Sequence, residues 1–320
     1  MLRVLAVTLA ALAVLLGLAF LAIRQPVPGS VPFLGEERAD AERLRRYVEL
    51  LAVEAAPRDV DHPENLDRAA DYIRQSLSET GARMEEQSYK AQGRTFRNVL
   101  ASFGPDAGPV LIVGAHYDAF GGFGENPGAD DNASGTAGLL ELARLLAGRP
   151  LSRRVIVAAY STEEPPFFGS PQMGSAVHAS SLGEMPVQGM ICLEMIGFFA
   201  DEQTWPDPLL SLLYPDRGDF IGVTGRWADR GLTREVKRAM RAAGIVPVYS
   251  FTAPRSAGLD ASDHISYWDR GIPAVMITDT AYLRNPNYHA PGDTAASLDF
   301  RRMAGVVDGV LNAVLHLAGG

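Results

Sequence analysis

Cysteine is nearly absent from this chain. Cys192 is the only one in 320 residues, which excludes an intrachain disulfide and any cysteine-rich metal site. It lies in the apolar run GMICL, where a small buried side chain is the expected role. Clustered positive charge is missing as well. The 29 Lys and Arg residues stand against 38 Asp and Glu, a formal charge of −9, and the basic ones are scattered, so a nucleic-acid surface is not expected. There is no internal repeat, charge run or low-complexity tract apart from one apolar segment near the start.

That segment is the first thing present in abundance. Between Val4 and Ile23 the only polar side chain is Thr8, and a helix of this length spans about 30 Å, the thickness of a bilayer core. It exceeds the ~7–15 apolar residues of a secretory signal, and no A-x-A site follows before Gln25 and Pro26. An uncleaved single-pass anchor over residues 1–24 is expected, in contact with the membrane through 4–23. A Pro/Gly-rich linker follows over 25–36, and one domain occupies 37–320. Arg3 precedes the apolar segment while Arg24, Arg38 and Arg43 follow it, so charge does not set the orientation. By analogy, the domain is expected outside the cytoplasm.

The 47% hydrophobic content is enough for a large core. Helical periodicity runs from Glu37 to Ala55, and a second helix is expected after Asn65 as its N-cap. From NVLASF onward, apolar β-branched runs alternate with helical patterns: PVLIVGA, SGTAGLLELARLLAG, VIVAAY, SPQMGSAVHAS, GMICLEM, DFIGVTG, Thr233 to Ala243, VPVYSF, PAVMITD, and Asp299 to Leu317. The alternation predicts an α/β fold with a mixed, mostly parallel central sheet covered by helices on both faces.

Polar residues fall at informative places. PVLIVGA ends at His116, VIVAAY leads to Glu163 and Glu164, and GMICL ends at Glu194. In open α/β sheets ligands bind beyond the carboxyl ends of the strands, so three strands bring metal-capable side chains to one edge. Asp118, two positions after His116, is placed to accept the second ring N–H. PGADDNASG puts two aspartates ahead of a helix, more acid than a cap needs, and makes Asp131 a candidate bridging ligand. NPNYHAPGDT supplies Tyr288 and His289 in a loop after a strand, and His264 with Asp263 is a further candidate near the site. The ligand candidates are two histidines and three carboxylates, a set suited to a pair of zinc ions. One glutamate of the Glu163–Glu164 pair is left over to handle protons.

GAHYD, PGADDNASG, STEEPPFFGS, CLEMIGFF, SDHISYWDRGIPA and NYHAPGDT, in this order, resemble the M28 metallopeptidases, the zinc aminopeptidases related to glutamate carboxypeptidase. The resemblance covers about Asn98 to Leu298. It implies a zinc aminopeptidase-like fold with His116, Asp131 and Glu194 on one zinc and Asp131, Glu164 and His289 on the other. Glu163 is implied as general base, Asp118 as the group orienting His116, and Tyr288 as donor to the developing oxyanion. Many members carry aspartate where Glu194 stands. A non-proline cis peptide near Asp131 is also implied. The activity implied is removal of N-terminal residues from peptides with a free N-terminus by a metal-bridging hydroxide. A glutaminyl cyclase shares the scaffold, usually with one zinc and with Trp where Tyr288 stands. A receptor-like domain with decayed ligands is the non-catalytic alternative.

The long segment between Glu194 and DFIGVTG is expected either to cover the cleft, with Phe198, Phe199, Trp205 and Tyr214 lining a pocket, or simply to pack onto the domain. Arg255 is read as a solvated loop residue or a carboxylate partner.

Overall fold

Period-two alternation in the central strands sends successive side chains into two separate cores. In β3 (Val110–His116), Leu111, Val113 and Ala115 join the larger core while Val110 and Ile112 join the smaller. In β4 (Val155–Tyr160), Val157 and Ala159 face the first core while Ile156, Ala158 and Tyr160 face the second. A sheet apolar on both faces requires helices on both, and the chain supplies them. The computed structural model describes residues 2–29, 31–122, 125–255 and 259–319.

The other elements are α1 (Leu2–Arg24), α2 (Ala41–Glu49), α3 (Pro63–Ser78), β1 (Arg83–Ala91), β2 (Arg94–Phe103), α4 (Gly135–Leu146), α5 (Gly174–Ser181), β5 (Val187–Glu194), α6 (Pro208–Leu213), β6 (Ile221–Arg226), α7 (Arg230–Met240), β7 (Val248–Ala253), α8 (His264–Trp268), β8 (Ala274–Thr278) and α9 (Phe300–Ala318). The described residues form one eight-stranded sheet in the order β1-β2-β4-β3-β5-β8-β6-β7. Pairs β4/β3, β3/β5, β5/β8 and β6/β7 are parallel, and β1/β2, β2/β4 and β6/β8 antiparallel. The mixed, mostly parallel α/β sheet expected from the alternation is the one observed.

Element ends differ from expectation for identifiable reasons. Helix α2 starts at Ala41 instead of Glu37 because the Asp40 carboxylate accepts from the amides of Glu42 and Arg43 and caps it there. Helix α3 starts earlier than expected, with Pro63 in its first turn, so Asn65 lies inside it and donates to the Pro57 carbonyl at 3.0 Å. Strand β1 has no apolar alternation to mark it, because it is an edge strand with mainly polar side chains. It is joined to β2 by a tight turn with positive φ at Gln92 and Gly93.

The segment between β5 and β6 packs onto the domain. Phe198 and Phe199 lie against the main core, and Trp205 and Tyr214 pack on Phe251 at centroid distances of 5.5 and 4.1 Å. Parts of the 25–36 segment, linker-like in composition, also lie on the domain. Gln25 and Val27 are buried, and the Leu34 amide donates to Asn312 in α9 at 2.8 Å.

Candidate metal centre

The central parallel strands deliver their last residues to one edge. His116 ends β3, Glu194 ends β5, and the loop after β4 carries Glu163 and Glu164. Asp131 enters from the turn before α4, where Gly128 has a φ of 57° and a Cβ would collide with the Asp131 carbonyl. The Asp131–Asn132 peptide is cis, where the resemblance put it. His289 comes from the loop beyond β8 and is half-buried between two rings, stacked on Phe120 at 4.1 Å and on Tyr288 at 3.8 Å.

Distances sort the candidates into two groups. His116 Nε2 lies 3.3 Å from Glu194 Oε2 and 3.5 Å from Asp131 Oδ1. His289 Nε2 lies 3.1 Å from Asp131 Oδ2 and 3.3 Å from Glu164 Oε1. Asp131 thus turns one oxygen to each histidine. In each group the three donor atoms lie within 4.8 Å of one another. A tetrahedral zinc with bonds of about 2.0–2.1 Å has donor–donor edges of about 3.3–3.4 Å, so this spacing fits zinc. His116 Nε2 and Glu164 Oε1, both buried, have no hydrogen-bond partner, as expected of atoms meant for a cation.

The electrostatics agree. Burial pushes the Glu163 carboxyl well above its usual range; His116 opposes that shift, and Glu164 and Glu194 add to it. Burial and Asp131 carry Glu164 up to about 7, and burial raises Glu194. At His289 burial resists protonation, but the adjacent carboxylates of Asp131 and Glu164 bring it up to about 10. A crowd of buried acids holding protons this firmly is a site short of positive charge, which a divalent cation would supply.

Neighbouring groups fix the donors. His116 Nδ1 lies 3.3 Å from Asp118 Oδ1, and the same carboxylate accepts the amides of Glu163 and Glu164 at 3.2 and 3.0 Å. Asp118 therefore holds the histidine and the glutamate pair at once. Asp293 accepts the amides of Asp130 and Asp131 at 2.9 and 3.0 Å. Glu194, longer than the aspartate common in the family, is held by Ser262 at 2.6 Å and Asn132 at 3.3 Å. Ser262, Asn132 and Asp293 were not singled out in the sequence, although each lies in a quoted motif. Nor was Arg58, fully buried, which ties the carbonyls of Leu51, Tyr117, Pro127 and Gly128 together beneath the centre. Backbone strain marks the same place: non-glycine residues have positive φ at Thr162 (61°), Met195 (48°) and His289 (56°).

Other candidates go elsewhere. Asp130 is turned away from the donor groups, accepting from Asn285 at 3.0 Å and from the Gly197 amide. His264 Nε2 contacts the Leu259 carbonyl at 2.7 Å, and Arg255 pairs with Asp269 at 2.6 Å on the surface. Cys192 is buried, as expected. Beside the donors opens a cavity of about 240 Å³, walled by Glu163, Pro165, Phe168, Asp260 and Tyr288. Phe198, Phe199, Trp205 and Tyr214 are not among its lining residues.

An α/β sheet that gathers such donors at its carboxyl edge defines a metalloenzyme class. Within that class the chain belongs to peptidase family M28, whose model matches residues 98–314. An uncharacterized protein of Escherichia coli (strain K12), YfbL, is 48% identical over 287 residues, covering 87% of this chain and 88% of that one. A probable leucine aminopeptidase of Arthroderma otae is 27% identical over 70% of this chain, which spans 56% of that relative's length. The solved aminopeptidase from Aneurinibacillus sp. strain AM-1 shares the fold with a TM-score of 0.68 at 19% identity, covering 88% of this chain and 94% of that one. Porphyromonas gingivalis glutaminyl cyclase does so with 0.66 at 20% identity, covering 88% and 99%. The fold alone therefore does not separate these activities.

Proposed function

We propose that this chain is a zinc-dependent aminopeptidase that removes residues from peptides with a free N-terminus. The observation that carries the reading is Asp131, with an oxygen facing each histidine and a further buried carboxylate, Glu163, beside them. His116, Asp131 and Glu194 would hold one zinc, and Asp131, Glu164 and His289 a second. Bound zinc supplies Lewis-acid polarisation of the scissile carbonyl and lowers the pKa of water toward neutrality.

The chain's own groups do the rest. Glu163 takes a proton from the attacking water as its oxygen bonds to the carbonyl carbon. It returns that proton to the peptide nitrogen as the C–N bond breaks, leaving a carboxylate product and a free amine. Tyr288, packed on His289, donates to the developing oxyanion. Asp118 keeps His116 and the two glutamates in register. The acidic cavity wall, with Asp260 exposed at its edge, suits a substrate ammonium.

Within this reading residues 1–24 form a single-pass anchor, 25–36 a linker, and 37–320 the catalytic domain, held outside the cytoplasm. Helix α1 is long and apolar enough to cross a membrane and is not buried in the protein. The experiment is a substrate panel with added zinc: aminoacyl amides, the same compounds N-acetylated, acidic dipeptides, and N-terminal glutaminyl peptides. Cleavage of the free amides with the acetylated ones inert supports an aminopeptidase. Cyclisation of glutamine with one zinc per chain would replace this reading with the cyclase.

A further inference from the structure

The molecule carries a second charged site, sharing no lining residue with the cavity at the metal centre, where α1 meets the domain. A cleft of about 500 Å³ there is lined by Phe20, Arg24, Lys237, Arg241, Ile245 and Tyr249, among others, and no carboxylate lines it. The Arg24 guanidinium lies over the rings of Phe20, Tyr214 and Tyr249 at 5.4, 5.2 and 4.7 Å. Lys237 Nζ donates only to neutral acceptors, the carbonyls of Arg24 and Gln25 at 2.6 and 3.2 Å and Ser250 Oγ at 3.1 Å. Arg241 donates to the Val27 carbonyl at 3.1 Å. None of the three cations has an acidic partner within 4 Å among the described residues, in a chain whose other basic side chains include many in ion pairs.

Three uncompensated cations sharing one cleft repel one another, and the effect is visible at Lys237. Burial, with Arg24 and Arg241 adding to it, brings its ammonium down to about 8. Such a cluster is stabilised by an anion. Its position says which anion. Arg24 is the last residue of the apolar helix α1, so when α1 spans a bilayer the cleft lies at the headgroup level. Two apolar side chains on the same rim, Phe20 (37% exposed) and Ile245 (48%), face solvent where acyl chains would begin.

We propose that this cleft binds the phosphate of an anionic phospholipid, with Arg24 and Arg241 donating to it, Lys237 adding charge, and Phe20 and Ile245 against its acyl chains. The bound lipid would fasten the domain to the membrane surface in one orientation, because the same cleft is built jointly from α1, α7 and the start of β7. The proposal rests on α1 crossing the bilayer and is independent of the peptidase assignment.

The full chain is tested in two steps. Alkaline carbonate extraction of membranes first checks the anchor: retention in the membrane is expected, and release overturns the anchor and the lipid site together. The purified chain in detergent micelles is then titrated with phosphatidylglycerol or phosphatidylcholine and read by native mass spectrometry. One phosphatidylglycerol per chain should be retained at concentrations at least tenfold below those needed for phosphatidylcholine. Arg241→Gln should weaken retention about fivefold, and Arg241→Gln with Lys237→Gln about 25-fold, at about 1 kcal/mol per cation near a membrane surface. Arg238→Gln, exposed on α7 and outside the cleft, should leave retention unchanged. Lys237 bonds three acceptors, so a misfolded double variant leaves the test to Arg241→Gln and the two lipids. Equal retention of both lipids, or an Arg241→Gln titration identical to wild type, overturns the lipid site alone. Full displacement of phosphatidylglycerol by millimolar inorganic phosphate reassigns the cleft to free phosphate and also overturns it.

Discussion

Replacing Glu163 by Gln separates proton transfer from metal binding. The substitution keeps the side chain's shape, and the backbone amide at 163 remains bonded to Asp118 Oδ1 at 3.2 Å, so the residue should keep its place. Glu163 Oε2 lies 3.9 Å from His116 Nε2, farther than the 3.3 and 3.5 Å of Glu194 and Asp131, which sets it outside the first donor group. Zinc content should therefore be unchanged. The amide has no basicity to accept a proton from water, and in the proposed reaction Glu163 acts twice, as base and then as acid. General acid–base assistance is worth about 10²–10⁴-fold in rate. With both transfers lost, kcat should fall by about 10³–10⁴, which at 1.36 kcal/mol per decade is about 4–5 kcal/mol of transition-state stabilisation. KM should change little, since a proton carrier contributes little to ground-state binding. The assay is steady-state hydrolysis of an aminoacyl amide, with zinc counted by elemental analysis on the same samples. Turnover within tenfold of wild type at full zinc occupancy would refute Glu163 as base. Loss of a zinc would instead make it a ligand.

Asp131→Asn should lose both metals, because the one carboxylate faces both histidines; elemental analysis retaining one zinc would show that it serves a single site. Chelation should abolish activity and lower the melting temperature, and zinc at about 1,000 times its Kd should restore about 4 kcal/mol of stability, measured by denaturant titration with and without metal. Asp118→Asn, which weakens the support of His116 and of both glutamate amides, should cost about 10–100-fold in metal affinity by competitive chelator titration. His178 is buried between the hydroxyls of Tyr160 and Tyr267, and burial lowers its pKa to about 4. The unfolded chain takes up this proton near 6.5 and the folded one only near 4, so stability falls as pH drops through that window, by about 3 kcal/mol. In His178→Asn the loss of stability between pH 7.5 and pH 4 should shrink by about that amount.

Much of the centre was legible before any coordinates, because strand ends in an α/β sheet share an edge. A polar residue closing an apolar run is then a spatial statement, and His116, the glutamate pair and Glu194 could be read in that way. The residues that hold those donors were not legible. Ser262 meets Glu194 from 68 positions away and Asp293 meets the Asp131 amide from 162. Neither has a local signal, since a buried hydrogen bond between distant segments leaves no periodicity. Arg58 lies in a loop, where no side-chain pattern marks an arginine as buried.

Composition and pattern alone determined the apolar span, the alternation that builds the sheet, and the kinds of donor available, since each follows from the sequence of side chains along one strand or helix. Tertiary structure decided which of those donors meet. It assigned one Asp131 oxygen to each histidine, turned Asp130 and His264 away, and folded the aromatic segment after β5 onto the domain instead of over the cleft. It also brought Lys237 and Arg241 against the end of α1. Those outcomes depend on chain closure and packing between elements far apart in sequence, where the backbone direction at each loop sets what a side chain touches.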